Sequence, residues 1–244
     1  MVAIEVKDLG IKFKLSRFKA TRVKTVLLSL ISKQKETEQR DHFWALRKLN
    51  FTLNNGEVLG VIGSNGSGKS TLLRVIGGIF VPDEGSIHVE GRASALLSLG
   101  TGFKDDLNGI ENIYLNATIL GFTQKEIDDV IEQIIEFSEL GRFIYEPVKN
   151  YSSGMKARLG FAIAVHLKRE VMLIDEILGV GDFKFRKKST EKIKELISDG
   201  RTVILVSHSM ESIRNYCTKC LWIEKGVQKA FGETNEVIEK YLAS

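Results

Sequence analysis

The feature that most constrains this chain is a glycine-rich loop that directly follows a short apolar run. The run is Val58–Ile62, and the loop reads Gly63-Ser64-Asn65-Gly66-Ser67-Gly68-Lys69-Ser70-Thr71, which matches G-x-x-x-x-G-K-[ST]. Such glycines let the backbone wrap around phosphate groups, and the amides of a helix that begins near Lys69 would point at the anion. The motif therefore predicts a nucleotide-binding loop in which Lys69 contacts the β- and γ-phosphates and Ser70 binds Mg²⁺.

A second apolar run ends in two carboxylates, Asp175 and Glu176. By itself, a strand that ends in Asp-Glu is usually followed by an ordinary solvated turn. Together with a phosphate loop about 100 residues upstream, the pair instead suits a magnesium ligand followed by a general base. We expect Asp175 to hold Mg²⁺ and Glu176 to polarise the attacking water.

Short apolar runs alternate with stretches of helical periodicity, which predicts an α/β fold. The predicted buried strands are 58–62, 171–174 and 203–206. Ligand sites in such sheets lie at the carboxyl ends of the strands, so the residues after each strand should converge. Between residues 100 and 169 helices dominate, at 110–120, 124–137 and 152–167, which indicates a helical subdomain inserted between strands.

Composition narrows the class of protein. Hydrophobic residues make up 43% and charged residues 27% of the 244, which is typical of a soluble globular protein and excludes a disordered or collagen-like chain. The net charge of +4 does not call for a nucleic-acid partner. No apolar run is long enough to span a bilayer and no secretory signal begins the sequence, so we expect a cytoplasmic location. Cys217 and Cys220 lack the further ligands of a zinc site and are expected to be reduced thiols at a helix-to-strand junction.

Three further segments carry a family resemblance. Tyr151-Ser152-Ser153-Gly154-Met155 resembles the L-S-G-G-Q signature of ABC ATPases, Val206-Ser207-His208 resembles the strand that ends in their switch histidine, and Gly179-Val180-Gly181-Asp182 resembles their D-loop. Alone, a Ser/Gly helix start is usually a simple cap. In the ABC family the signature binds nucleotide held by the opposite subunit, which implies a homodimer in which Ser152, Ser153 and Gly154 act in trans and His208 contacts the γ-phosphate.

The resemblance implies one ABC nucleotide-binding domain over residues 1–244, with ATP and Mg²⁺ as cofactors. Its RecA-like P-loop ATPase core, with an antiparallel β portion, is expected at residues 1–98 and 169–244. The α-helical subdomain is expected at residues 99–168.

The sequence departs from the family pattern at two places. The family has a glutamine where the chain enters the helical subdomain, near Gly100 here, yet no glutamine occurs between Arg40 and Thr123. The adenine-stacking aromatic residue is expected to be Phe13, where the family usually has tyrosine. Phe43 and Trp44 are alternatives, because residues 14–42 look inserted.

The inserted segment has a distinct charge pattern. Residues 11–35 contain eight basic residues and no acidic one, and apolar residues recur among them at helical spacing. A basic amphipathic helix of this kind can lie on an anionic membrane surface or against a transmembrane partner. It can equally pack on the core with its basic face in solvent.

The Y-S-S-G-M form of the signature resembles ATPases that export lipid-linked polysaccharides. Residues 143–151 and 217–224 look most like the wall teichoic acid exporters, whereas the Leu-Gly-Thr-Gly-Phe loop looks like the O-antigen members. The implied partners are two copies of a multi-span membrane permease, which handles the lipid-linked polymer at the cytoplasmic face of the cell membrane. Because the chain ends at Ser244, we expect no C-terminal sugar-binding domain. The alternatives are an O-antigen or capsule exporter, a soluble non-transport ABC ATPase and a regulatory module without turnover.

Overall fold

The computed structural model describes residues 1–14, 42–95, 102–167, 169–175 and 182–244. The strands within these ranges are β1 Val2–Lys14, β2 His42–Asn54, β3 Val58–Ile62, β4 Glu84–Val89, β5 Ala93–Ala95, β6 Val171–Asp175, β7 Thr202–Val206, β8 Lys219–Glu224 and β9 Val227–Glu233. The helices are α1 Lys69–Ile76, α2 Gly109–Ile119, α3 Gln124–Asp128, α4 Ile131–Ser138, α5 Ser153–His166, α6 Phe183–Ser198, α7 Met210–Tyr216 and α8 Thr234–Leu242. Two short 3₁₀ turns, Gly141–Tyr145 and Val148–Asn150, precede α5.

These strands form one sheet with the order β4-β1-β2-β9-β8-β3-β7-β6-β5. Its central part is parallel: β3 pairs with β8 and β7, and β7 pairs with β6. All five residues of β3 and of β7 are buried, as expected for parallel strands with both faces covered. The predicted strands and the predicted α/β class are confirmed, and the carboxyl ends of β3, β6 and β7 share one edge.

The rest of the sheet contains the predicted antiparallel portion. Strand β1 pairs with β2 and β4, and β8 pairs with β9. The β8–β9 hairpin turns at Lys225 and Gly226, whose φ angles of 47° and 78° are those of the two-residue turn that suits twisted hairpins. The Gly226 carbonyl accepts a hydrogen bond from Arg47 of β2, and its amide donates to the Ser67 carbonyl in the phosphate loop at 2.9 Å. The hairpin turn therefore lies between β2 and the loop.

Helices α2 to α5 have a hydrophobic cluster of their own, in which Ile113, Ile134 and Leu159 are fully buried. The helix expected over residues 124–137 is two helices, because Val130 leaves the helical conformation at φ −128°. Nothing in the apolar spacing of that segment marks the break. The subdomain boundaries at 98/99 and 168/169 remain predictions, since residues 96–101 and 168 lie outside the described ranges.

Two smaller expectations concern the cysteines and membrane spans. Cys217 follows α7 directly and Cys220 lies in β8; both are buried, free thiols, which confirms the junction predicted for them. Among the described residues, none of the helices has both the length and the apolar character that a bilayer crossing needs.

Candidate functional site

The loop between β3 and α1 is built around its lysine. The Lys69 side chain is buried, and its Nζ donates to the carbonyl oxygens of Gly63 at 2.8 Å and Ser64 at 3.0 Å. Gly63, Gly66 and Gly68 have φ angles of 145°, 76° and 108°, which other residues rarely adopt. The glycines thus let the backbone curve around the ammonium group, and the two hydrogen bonds from that group stabilise the curved conformation.

Three observations test whether this loop fits a phosphate chain. A methyl group added at Gly66 would meet no atom within 4 Å, so open space adjoins the backbone there. The Ser67 hydroxyl oxygen is buried and has no hydrogen-bond partner within the described part of the chain. Helix α1 also begins without an acidic residue in its first turn and without a side-chain cap. Open space, an unused hydroxyl and uncapped amides fit an anionic ligand.

The predicted magnesium ligands lie in contact. Ser70, in the first turn of α1, donates from Oγ to Oδ2 of Asp175, the last residue of β6, at 3.2 Å. Mg²⁺ is usually held by one or two protein oxygens, with water and phosphate oxygens completing the octahedron. The described residues contain no larger group of His, Cys, Asp and Glu that could enclose a metal. Two oxygens beside a phosphate loop therefore fit Mg²⁺ bound together with a nucleotide.

A cavity of about 480 Å³ opens over the loop. The predicted site residues that line it are Phe13, Asn65, Gly66, Gly68, Lys69, Ser70, Thr71, Asp175 and His208. Phe43, Ala45 and Val206 complete the lining. His208 follows β7, the strand between β3 and β6, so the convergence expected at the carboxyl ends of these strands is present.

Two phenylalanines on neighbouring strands line this cavity. Phe13 and Phe43 are register partners on the antiparallel strands β1 and β2, and their residues are 39% and 53% exposed. Phe13 also makes an edge contact with Phe80, with ring centroids 5.6 Å apart. Trp44 does not line the cavity, and its ring instead contacts Lys12 and Arg47. Of the three aromatic candidates, Phe13 and Phe43 are therefore placed to stack on a base.

The signature segment lies away from this cavity. Ser152 is the N-cap of α5, and its Oγ accepts a hydrogen bond from the Met155 amide at 3.2 Å. Ser152, Ser153 and Gly154 are absent from the cavity lining. Tyr151 is buried, which raises the pKa of its hydroxyl to about 12, and this hydroxyl donates to the Phe143 carbonyl at 2.6 Å. The start of α5 is thus anchored within the helical part and does not line the cavity over the chain's own phosphate loop.

Several sequence predictions fall outside the described residues. Glu176, the predicted general base, and residues 179–181 of the D-loop motif lie there, as do Gly100 and residues 15–41 of the basic segment. The D-loop motif is described only at Asp182, the N-cap of α6, whose Oδ1 accepts from the Phe185 amide at 2.9 Å. This bond and nearby Arg158 lower the Asp182 pKa.

One functional candidate could not be found from sequence. Lys156 lies in the first turns of α5 and pairs with Asp105, 51 residues earlier in the chain. Residues so far apart show no spacing pattern that would predict their contact. The sequence alone therefore gives no reason to single out Lys156.

Comparison with known proteins agrees with this geometry. A model of the ABC transporter family matches residues 46–179, more than half of the chain. Two solved structures share the fold. An ATP-binding subunit of an ABC transporter matches with a TM-score of 0.74 and 22% identity, over 98% of this chain and 93% of that one. A dimeric ATP-binding cassette with bound ADP and phosphate matches with a TM-score of 0.71 and 20% identity, over 95% of this chain and 98% of that one.

Curated relatives are closer in sequence. A teichoic acids export ATP-binding protein, TagH, of Staphylococcus saprophyticus is 41% identical over 98% of this chain and 88% of its own length. An O-antigen export ATP-binding protein, RfbB, of Myxococcus xanthus is 42% identical over 99% of this chain and 56% of its own length. The chain spans 36% of the TagH of Bacillus anthracis and 50% of that of Lactococcus lactis. With the family model, the cassette fold and these identities in agreement, the chain belongs to the ABC transporter family of ATP-binding domains.

Proposed function

We propose that this chain binds and hydrolyses ATP as the energising subunit of an exporter for lipid-linked wall teichoic acid. The observation that carries the ATPase assignment is the 3.2 Å contact between Ser70 Oγ and Asp175 Oδ2 beside the phosphate loop. Teichoic acid is the substrate class because the relatives from Staphylococcus saprophyticus and Lactococcus lactis are named for its export.

In this proposal each of the main site residues has one task. Lys69 binds the β- and γ-phosphates, while Ser70 and Asp175 hold Mg²⁺, which when bound neutralises charge on the phosphates. Phe13 and Phe43 stack on the base. Glu176 accepts a proton from the attacking water, and His208 contacts the γ-phosphate.

The catalytic assignment is tested by Glu176→Gln. The amide keeps the size of the side chain but cannot take a proton, so ATP binding should persist while turnover nearly vanishes. An ATP-dependent rise in melting temperature measures binding, and phosphate release measures turnover. Ser70→Ala is the matched comparison, because it should weaken the magnesium-dependent part of binding itself. Turnover of Glu176→Gln within a few-fold of the parent would contradict the assignment.

The position of the signature segment supports a homodimer. The N-terminus of α5 does not line the cavity over the chain's own phosphate loop. For Ser152, Ser153 and Gly154 to contact the γ-phosphate, that phosphate must be held by a second copy. Two copies would enclose two nucleotides, with each site completed by the opposite α5.

Mixing two inactive chains tests this arrangement. A Lys69→Ala chain lacks the phosphate lysine, and a Gly154→Asp chain carries a negative charge at the signature. In a mixed dimer one site has both lesions and the other has neither, so part of the activity should return. Inactive mixtures, with mixed dimers demonstrated by differential tagging, would refute the arrangement in trans.

The partner in this proposal is a membrane permease present in two copies, with the chain bound to it at the cytoplasmic face of the membrane. The permease handles the polymer, and nucleic acid has no part in the cycle. Reconstitution of the chain with its cognate permease in liposomes tests the substrate. Stimulation of hydrolysis, and transport, by a polyol-phosphate lipid but not by a neutral glycan lipid would support teichoic acid.

A second candidate substrate is an O-antigen polysaccharide. It is favoured by the Myxococcus relative, which is 42% identical over nearly the whole chain. The same liposome assay separates the two candidates, because equal stimulation by uncharged glycan lipids would favour the O-antigen exporter.

A further inference from the structure

Two segments of the helical part run side by side: residues 102–108, which lead into α2, and residues 147–156, which contain the start of α5. Their backbones are joined directly, since the Val148 amide donates to the Leu107 carbonyl and the Lys149 amide donates to the Asp105 carbonyl, both at 2.9 Å. Asn108 and Pro147 form an isolated bridge beside these bonds. The loop before α2 and the segment before α5 are therefore in register over several residues.

A buried asparagine makes the first of these segments rigid. The Asn112 side chain is fully buried in α2. Its Nδ2 donates to the carbonyl oxygens of Lys104, Leu107 and Asn108, and its Oδ1 accepts from the Lys104 amide at 2.8 Å. Because it costs free energy to leave a buried amide without its hydrogen bonds, the backbone of residues 104–108 cannot easily change conformation independently of α2. Asp105 thus stands on a fixed loop.

The side chain of Asp105 extends this connection into α5. Lys156 Nζ donates to Asp105 Oδ1 at 2.8 Å, and Lys156 is the fourth residue of α5. A lysine near a helix N-terminus is disfavoured by the helix dipole, so a facing carboxylate compensates for its charge. The bond from Lys156 lowers the Asp105 pKa, as expected if the pair is ionic.

We propose that the Asp105–Lys156 ion pair is a positioning device that fixes the N-terminus of α5 against the loop of residues 102–108. The two segments then move as one body when nucleotide contacts Ser152 and Gly154. This inference rests on the proposed function, in which that N-terminus binds nucleotide held by a second copy. The ion pair would also link the nucleotide to the loop of residues 102–108 without the glutamine that the family has near this position. No glutamine occurs between Arg40 and Thr123 of this chain.

A double-mutant cycle tests the pair on the purified full-length chain. Lys156→Met and Asp105→Asn should each lower kcat for ATP hydrolysis about three- to tenfold, and the double variant should be no worse than either one, because all three lack the same contact. The affinity of the chain's own phosphate loop for ATP should stay within about twofold of the parent, since neither residue lines that cavity. Lys156→Arg, which can keep the ion pair, should retain kcat.

The control variant is Lys149→Met. Lys149 pairs with Asp106 at 3.2 Å across the same two segments but precedes α5, so its loss should leave kcat unchanged. A large loss in Lys156→Met with none in Asp105→Asn would overturn the proposal, because Lys156 would then act on nucleotide directly. Parent-like rates in both variants would overturn it as well.

The failure of this inference can be told apart from failure of the proposed function by adding Gly154→Asp to the series. If Gly154→Asp is inactive while Lys156→Met and Asp105→Asn have the kcat of the parent, only the positioning role is refuted. If Gly154→Asp hydrolyses ATP at the parent rate, the signature has no role at the nucleotide, and the composite site and the positioning role fall together.

Discussion

Two alanine substitutions in the phosphate loop, Gly63→Ala and Gly66→Ala, should separate the glycine that the fold needs from the glycine that the ligand needs. Both positions have positive φ angles, so either alanine is strained by about 1–3 kcal/mol. Only at position 63 does the new methyl group also collide: it would lie 2.0 Å from the Ile223 carbonyl oxygen, whereas at position 66 it meets nothing within 4 Å.

The collision at position 63 involves the backbone of β8, which cannot rotate away as a side chain could. Adding about 1–3 kcal/mol for overpacking gives a total loss of about 2–6 kcal/mol in the free energy of unfolding for Gly63→Ala, against about 1–3 kcal/mol for Gly66→Ala, which has the strain alone. At roughly 2–4 °C per kcal/mol for a chain of this size, the melting temperature should fall by about 12 °C for Gly63→Ala and by about 6 °C for Gly66→Ala.

Thermal unfolding followed by circular dichroism measures the two losses, and repeating it with MgATP measures ligand stabilisation. Gly66→Ala should lose most of the ATP-induced rise in melting temperature, because its methyl group occupies space beside the proposed phosphate site. Melting temperatures for the two variants within about 2 °C of each other would refute the reasoning about the contact with β8.

Three further outcomes are expected. Ser70→Ala should reduce the additional rise in melting temperature that Mg²⁺ gives in the presence of ATP, because Asp175 alone would remain to hold the ion. Asp182→Ala should lower the melting temperature while Asp182→Asn largely preserves it, since asparagine can still accept from the Phe185 amide at the start of α6. Burial raises the Cys220 pKa to about 12 from an ordinary value near 9. Between pH 9 and pH 10 the Cys220 thiol therefore keeps its proton in the folded state but loses it in the unfolded state. The free energy of unfolding should fall by about 1 kcal/mol over this range, and urea titrations should find a smaller fall in Cys220→Ala.

Local pattern was enough to predict the phosphate loop and the central strands. A buried parallel strand such as Val58–Ile62 must be apolar throughout, and the glycines after it are required by backbone geometry, so both features are visible in a few adjacent residues. The helix start at Ser152 is likewise local, because a serine hydroxyl satisfies an amide three residues ahead.

What the sequence could not predict depends on contacts between distant residues. The break at Val130 interrupts a continuous helical pattern of apolar residues, so periodicity gives no sign of it. The choice between Phe43 and Trp44 depends on which face of β2 meets the cavity, and that is set by pairing with β1. The Asp105–Lys156 contact joins a loop to helix α5, and the shape of that loop depends on bonds around Asn112.

The β8–β9 turn has a thermodynamic consequence for the whole C-terminal hairpin. Its Gly226 amide is hydrogen-bonded to Ser67 of the phosphate loop, so this amide can exchange with solvent only when the loop and the turn separate. A ligand that stabilises the loop must therefore slow deuterium uptake at a position more than 150 residues away in sequence, by mass action on the same local opening. Gly226 becomes a natural reporter of site occupancy, readable by hydrogen-exchange mass spectrometry without any label near the nucleotide.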